Sequence, residues 1–270
     1  MRPVGVFDSG IGGLTVVKAL RDLLPREEIF YIGDTARLPY GSKSASTVER
    51  YSFEIAQMLL AENSKAIVVA CNTASAVALP SLQEKLNVPV IGVIEPGAAA
   101  AANATRNGHV GVIGTRATIK SRAYELALRR IGNHLQITPQ ACPLLVPLIE
   151  EGWLSDDVTD RTIARYLAPL MDSGIDTLVL GCTHYPLLRD AFARFLGAKV
   201  TLVDSAQNCA RAVAELLEQK QIASTSDAPG KLTVALTDKP DTFLEIARKS
   251  LELDLGEILL RDPAEHSQPR

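Results

Sequence analysis

Two cysteines of this chain stand in the same local setting. Cys71 lies in VVACNTAS and Cys182 in LVLGCTHYP, each after an apolar run that reads as a strand and before a stretch that reads as a helix. Such a position presents a side chain to a cleft, and the free N–H groups of the next helix are expected to lower a thiol pKa. One buried cysteine is well explained as a small core hydrophobe; two in equivalent places call for more. Thiols on opposite sides of one site suit removal of a proton from one face of a carbon acid and delivery of a proton to the other. That chemistry needs a base and an acid of matched pKa, and cysteine, at about 8.5 unperturbed, serves as either near neutrality. Inversion at a stereocentre would follow.

The neighbours fit this role. Asn72, Thr73 and Thr183 bring amide and hydroxyl groups to the same helix starts, where they could hold a carboxylate together with backbone N–H groups. Plain N-capping is the alternative for the threonines. His184, one of four histidines, follows Cys182 by two residues and is suited to tuning that thiol or passing protons to it. Asp8 ends the first apolar run and opens DSGIGG, which is neither GxGxxG nor GxxxxGK[ST] and so does not read as a nucleotide loop. Asp8 is instead an acidic partner for the cleft. In the turn-rich DTARLPYG, the Tyr40 hydroxyl and Gly41 N–H could hold a second anionic group. Cys142, before Pro143, and Cys209, within a helical pattern, read as structural. A zinc site needs three or four ligands, and Cys182 with His184 supplies two; no metal is expected.

To meet at one site, these residues must be carried by matching scaffolds. Short β-branched runs alternate with amphipathic stretches, the pattern of βα units around parallel sheets. Strands are expected at Arg2–Phe7, Glu28–Ile32, Ala66–Ala70, Val90–Val93, Val110–Ile113, Leu135–Thr138, Thr177–Gly181, Val200–Val203 and Leu232–Leu236. One helix is expected over Ile11–Leu24, ended by Pro25, and another over Ser46–Glu62, with Ser46 as N-cap and Glu49 completing a capping box. The chain also repeats itself. VGVFDS from Val4 matches VGVIGT from Val110, an offset of 106, and AIVVAC from Ala66 matches TLVLGC from Thr177, an offset of 111. Two pseudo-symmetric α/β domains follow, each a parallel sheet flanked by helices, with ligands beyond the carboxyl ends of the strands in the cleft between them. The first comprises 1–94 and 208–270, the second 95–207. The crossovers fall at Ile94–Gly97, read as turn chemistry, and at Asp204–Gln207, and both are expected to act as a hinge. Leu232–Leu236 would return to the first sheet, and the polar tail Asp262–Arg270 is expected to fray.

Composition narrows the partners. At 270 residues, 47% hydrophobic and 22% charged, the chain is neither disordered nor of low complexity. Twenty-eight basic against 31 acidic residues, scattered and summing to −3, offer nothing to nucleic acid or an anionic membrane. The N-terminus turns polar too early for a signal peptide, and no stretch approaches the roughly 18 apolar residues of a membrane span. A cytoplasmic protein is expected, its cysteines free thiols.

The segments VGVFDSGIGGLTV, YIGDTARLPYG, VVACNTASA, VIGVIEPG, VGVIGT, CPLLVPLIEEG and LVLGCTHYPLL together closely resemble the glutamate racemases of the cofactor-independent aspartate/glutamate racemase superfamily, over nearly the whole chain. The resemblance implies interconversion of L- and D-glutamate for peptidoglycan synthesis, without pyridoxal phosphate, nucleotide or metal. By position, Cys71 and Cys182 match the catalytic cysteines, and Asp8 and His184 their assisting groups. The pairs Asp8-Ser9, Tyr40-Gly41, Asn72-Thr73 and Thr183-His184 match substrate-binding residues. Glu150 matches a further acidic residue, with Glu151 beside it as the other candidate. His184 also separates the subfamilies, since related aspartate racemases look like Cys-Thr-Glu there. The chain starts almost at its first strand, so activation through an N-terminal extension by a wall-precursor nucleotide is not expected. The partner implied is a small molecule, glutamate; a homodimer stays open. A related racemase or isomerase acting on another acid, and a non-enzymatic amino-acid-binding protein of the same bilobed plan, are the alternatives.

Overall fold

A computed structural model describes residues 2–239 and 242–263 of the chain; of the polar tail, 264–270 lie outside the described residues. The strands are β1 (Val4–Asp8), β2 (Ile29–Gly33), β3 (Ala66–Val69), β4 (Val90–Gly92), β5 (His109–Gly114), β6 (Gln136–Ala141), β7 (Thr177–Gly181), β8 (Thr201–Asp204), β9 (Leu232–Leu236) and β10 (Ile258–Leu260). The α-helices are α1 (Leu14–Leu23), α2 (Ala45–Ala61), α3 (Asn72–Val77), α4 (Leu79–Lys85), α5 (Ile94–Ala104), α6 (Arg116–Ser121), α7 (Ala123–Ile131), α8 (Leu145–Glu150), α9 (Asp157–Asp172), α10 (Arg189–Leu196), α11 (Ser205–Gln219) and α12 (Thr242–Leu251).

Every strand pair among the described residues is parallel. Parallel sheets need cover on both faces, and β1, β2, β3 and β7 are accordingly buried at every residue. One sheet runs β10-β9-β2-β1-β3-β4 and the other β6-β5-β7-β8. The internal repeat is visible in this order, because β2-β1-β3-β4 and β6-β5-β7-β8 are the same arrangement. Val4 lies opposite Ala66 in one sheet and Val110 opposite Thr177 in the other, which are the starts of the matching sequence segments. Strand β9 pairs with β2, so Leu232–Leu236 does return to the first sheet.

A shared core joins the sheets. Val4 and Val6 of β1, Leu14 and Leu20 of α1, Leu178 and Leu180 of β7, and Val213 and Leu217 of α11 belong to one buried apolar cluster. Helix α11 packs on both α1 and α5 and so lies between the two halves.

Four local expectations are corrected. Ile94–Gly97 is the first turn of α5 rather than a turn, since Pro96 lacks only a donor that the first helical turn leaves unused. Helix α1 begins at Leu14, because Ile11 and Gly12 close i→i+3 turns onto Leu14 and Thr15. The N-cap of α2 is Ser44, whose Oγ accepts from the Thr47 N–H, and Ser46 lies inside the helix. Strand β6 runs through Pro139 to Ala141, and it can do so as an edge strand, where one missing N–H goes unmatched at no cost to a second neighbour. Strand β10 was not foreseen; three residues are too few to show a period.

Candidate active site

Ser9, Cys71, Thr115 and Cys182 each stand one or two residues past the carboxyl ends of β1, β3, β5 and β7, and all four line one pocket. The two strands that carry the cysteines are repeat counterparts. Convergence on this pocket is therefore a product of the duplicated strand order. Ser9, Tyr40, Gly41, Asn72, Thr73, Glu150, Thr183 and His184 all line it with the two cysteines, and Asp8 is buried beneath rather than on its wall.

On one side, Cys71 caps α3. Its Sγ accepts from the Ala74 N–H at 3.4 Å and its S–H donates to Ser9 Oγ at 3.6 Å. The expected lowering of this thiol's pKa is not the net result. Burial, and then the Asp8 carboxylate, push the Cys71 thiol well up, against the weaker pull of the Ala74 N–H and Ser9. Asp8 Oδ2 accepts from the Gly13 N–H at 2.8 Å and from Thr183 Oγ1 at 3.4 Å, while its Oδ1 has no hydrogen-bond partner among the described residues. Asp8 thus holds the start of α1 and reaches across to the Cys182 loop.

On the other side, Cys182 Sγ lies 3.8 Å from His184 Nδ1, and His184 Nε2 lies 3.2 Å from Glu150 Oε1. Burial acts against a charged imidazole here, but the hydrogen bonds and charges of Cys182 and Glu150 outweigh it and hold the His184 pKa up at about 10. Of the two adjacent acids, Glu150 at the end of α8 faces the pocket, and Glu151 is exposed. Close packing of the opposite loop requires glycine at position 12, where a Cβ would stand 2.5 Å from His184 Nδ1.

The Tyr40 hydroxyl is not available to an anion. It donates to Asp34 Oδ2, which also accepts from Arg37 Nε at 2.7 Å, and a buried carboxylate is a stronger acceptor for a buried phenol than an open pocket. What Tyr40 and Gly41 can offer a ligand is backbone. Thr73 Oγ1 meets Thr115 Oγ1 at 2.9 Å and Thr118 Oγ1 at 3.2 Å, with Thr115 and Thr118 themselves 3.0 Å apart. Thr115 and Thr118 were missed from the sequence. The repeat held the signal for one of them, because Thr115 is the counterpart of Ser9.

Two thiols thus line one pocket, with the Asp8 carboxylate near one and an imidazole–carboxylate pair behind the other. A family model described as Asp/Glu/hydantoin racemase matches residues 14–213. The chain is 49% identical over 257 residues to a glutamate racemase of Geobacter metallireducens, covering 95% of each chain, and 47% identical over 258 residues to one of Neisseria meningitidis, again covering 95% of each. The fold is similar to a glutamate racemase isoform of Bacillus anthracis, with a TM-score of 0.92 and 41% identity over 97% of both chains. It is also similar to a glutamate racemase of Francisella tularensis solved with D-glutamate, with a TM-score of 0.91 and 37% identity over 98% of both.

Proposed function

The chain belongs to the Asp/Glu/hydantoin racemase family, and from that premise we propose that it interconverts L- and D-glutamate by two-base proton transfer between Cys71 and Cys182. What supports this most is that the two thiols, on counterpart strands, line the same pocket with different proton-handling partners behind them.

In this reading the substrate's carboxylates are held by the Asn72, Thr73 and Thr183 side chains and by backbone N–H groups of the Ser9, Gly41 and Thr183 segments. For D-glutamate, Cys71 as thiolate takes the α-proton, with Asp8 assisting. The resulting carbanion is stabilised through its hydrogen-bonded carboxylate, and Cys182 delivers its proton to the opposite face. For L-glutamate the roles reverse, with Cys182 as the base and His184, held between Cys182 and Glu150, assisting it. Each turnover moves one proton on and one off, and exchanges the protonation states of the two thiols. D-Glutamate so formed would serve peptidoglycan synthesis, in the cytoplasm where its precursors are made; no helix among the described residues is long and apolar enough to cross a membrane.

The test is chiral chromatography of purified protein with L-glutamate in heavy water and no additive. Racemisation is expected, with deuterium entering mainly the enantiomer being formed, because abstracting and donating thiols differ. Cys71→Ser and Cys182→Ser should each lose at least about a hundredfold in rate, a hydroxyl being a far weaker base at neutral pH. Equal early labelling of both enantiomers would indicate one shared base and end the two-thiol reading. Comparable turnover of aspartate would redirect it to another acid.

A further inference from the structure

Tyr124, the second residue of α7, is buried and off the pocket wall, yet it bonds one residue of that wall. Its hydroxyl donates to Asn72 Oδ1 at 2.7 Å. The Ser205 side chain is its other hydrogen-bond neighbour, and a Cβ at Gly97 would come within 3.2 Å of the same oxygen. The phenol head therefore sits where the start of α3 meets the first turns of α5 and α11, the two segments that cross between the halves.

Asn72 is 2% exposed and lines the pocket, and its Nδ2 has no hydrogen-bond partner among the described residues. A buried amide nitrogen left in that state in a folded protein asks for an acceptor that arrives later. A side-chain amide can present either end, since oxygen and nitrogen are nearly equal in shape. Which end faces the pocket decides whether a carboxylate there meets a donor or a repelling oxygen. Burial keeps the Tyr124 phenol protonated, against the opposing pull of the Ser205 hydroxyl, and with Ser205 as the donor to it the phenol's own proton goes to the amide oxygen.

We propose that Tyr124 is a positioning residue: by donating to Asn72 Oδ1 it keeps that amide from turning over and so presents Nδ2 to the pocket as a donor for a carboxylate of the substrate. The inference rests on the reading of the pocket as a glutamate site. The proposal assigns Asn72 to the side-chain carboxylate, remote from the reacting carbon, where a donor acts equally on ground and transition states, so its loss falls on KM.

Tyr124→Phe removes the hydroxyl and keeps the ring. It should raise KM for both glutamate enantiomers about tenfold, the scale of one hydrogen bond to a charged group, with kcat changed less than about twofold. Asn72→Ala should raise KM by itself, and adding Tyr124→Phe to it should bring no further rise, because the two act as one unit. Asn72→Asp still accepts from Tyr124 but gives the pocket no donor, and it should reproduce the KM rise even if Tyr124→Phe folds poorly. The side-chain amide signals of Asn72, followed by 15N NMR in the free protein, should shift and broaden in Tyr124→Phe. An unchanged KM in Tyr124→Phe or Asn72→Asp, additive effects in the double variant, or unmoved amide signals would overturn the proposal. A wild-type protein that fails to turn over glutamate would count against the functional reading instead, and the amide signals would still decide the orientation.

Discussion

His184 lies between a thiol and a carboxylate, and that placing sets the pH range over which it matters. Its pKa is raised from 6.5 to about 10 in the folded protein. A group raised on folding adds stability that is complete below its unfolded value and is lost as pH climbs through the folded one. The His184 contribution is therefore full below about 6.5 and disappears toward 10. Glu150→Gln removes one of the two groups that hold the proton. An NMR titration of the His184 ring should then show a midpoint below that of the wild type, and the stability lost between pH 7 and 10 should shrink. An unmoved midpoint would leave Cys182 as the sole cause. The same scale shows why a thiol at a helix start need not be acidic: partial charges of a short helix are outweighed at Cys71 by burial and a neighbouring carboxylate.

At the scale of elements, the cap of α2 separates local pattern from actual geometry. Both Ser44 and Ser46 are plausible caps by type, but only Ser44 has extended backbone angles and accepts from a helix N–H. Ser44→Ala should lower unfolding free energy in urea by about 1 kcal/mol and Ser46→Ala by less than about 0.5 kcal/mol. Equal losses would mean the cap is shared. Nine strands were legible because each is an apolar, β-branched run bounded by turn residues. Their ends were less so: β6 continues past Thr138 through a proline that an edge position tolerates, and β5 and β6 extend further toward the pocket than their apolar cores.

For the whole molecule, the pocket is lined by residues of both halves, and a carbon acid deprotonated there has to be closed off from water once it is bound. We therefore propose that 1–94 with 208–270 moves against 95–207 about Ile94–Gly97 and Asp204–Gln207. Ile94–Gly97 is the first turn of α5, and Asp204–Gln207 runs from the last residue of β8 into the first turn of α11, so rotation there falls at element ends. Solution scattering with and without D-glutamate, together with crystal structures of both states in lattices that permit movement, should show a change of inter-domain angle about these crossovers. Identical angles would remove the hinge. In the proposed reaction such closure would also shelter the deprotonated carbon from water.

The lining of the pocket was legible in the chain because it is local: strand, thiol, helix start and adjacent polar residues are consecutive, and the duplication repeats that unit in the same strand order. What lies between units was not. That Glu150 rather than Glu151 meets His184 depends on the rotation of α8. That the Tyr40 hydroxyl turns to Asp34, and that Asp8 lies under the wall while reaching Thr183, depend on which buried donor finds which buried acceptor. The Thr73–Thr115–Thr118 contact and the Tyr124–Asn72 bond join residues 42 to 52 positions apart, across the two halves. Spacing along a chain specifies the face of an element; the partner met across a packed interface is decided only when the elements pack and every buried polar group must be matched.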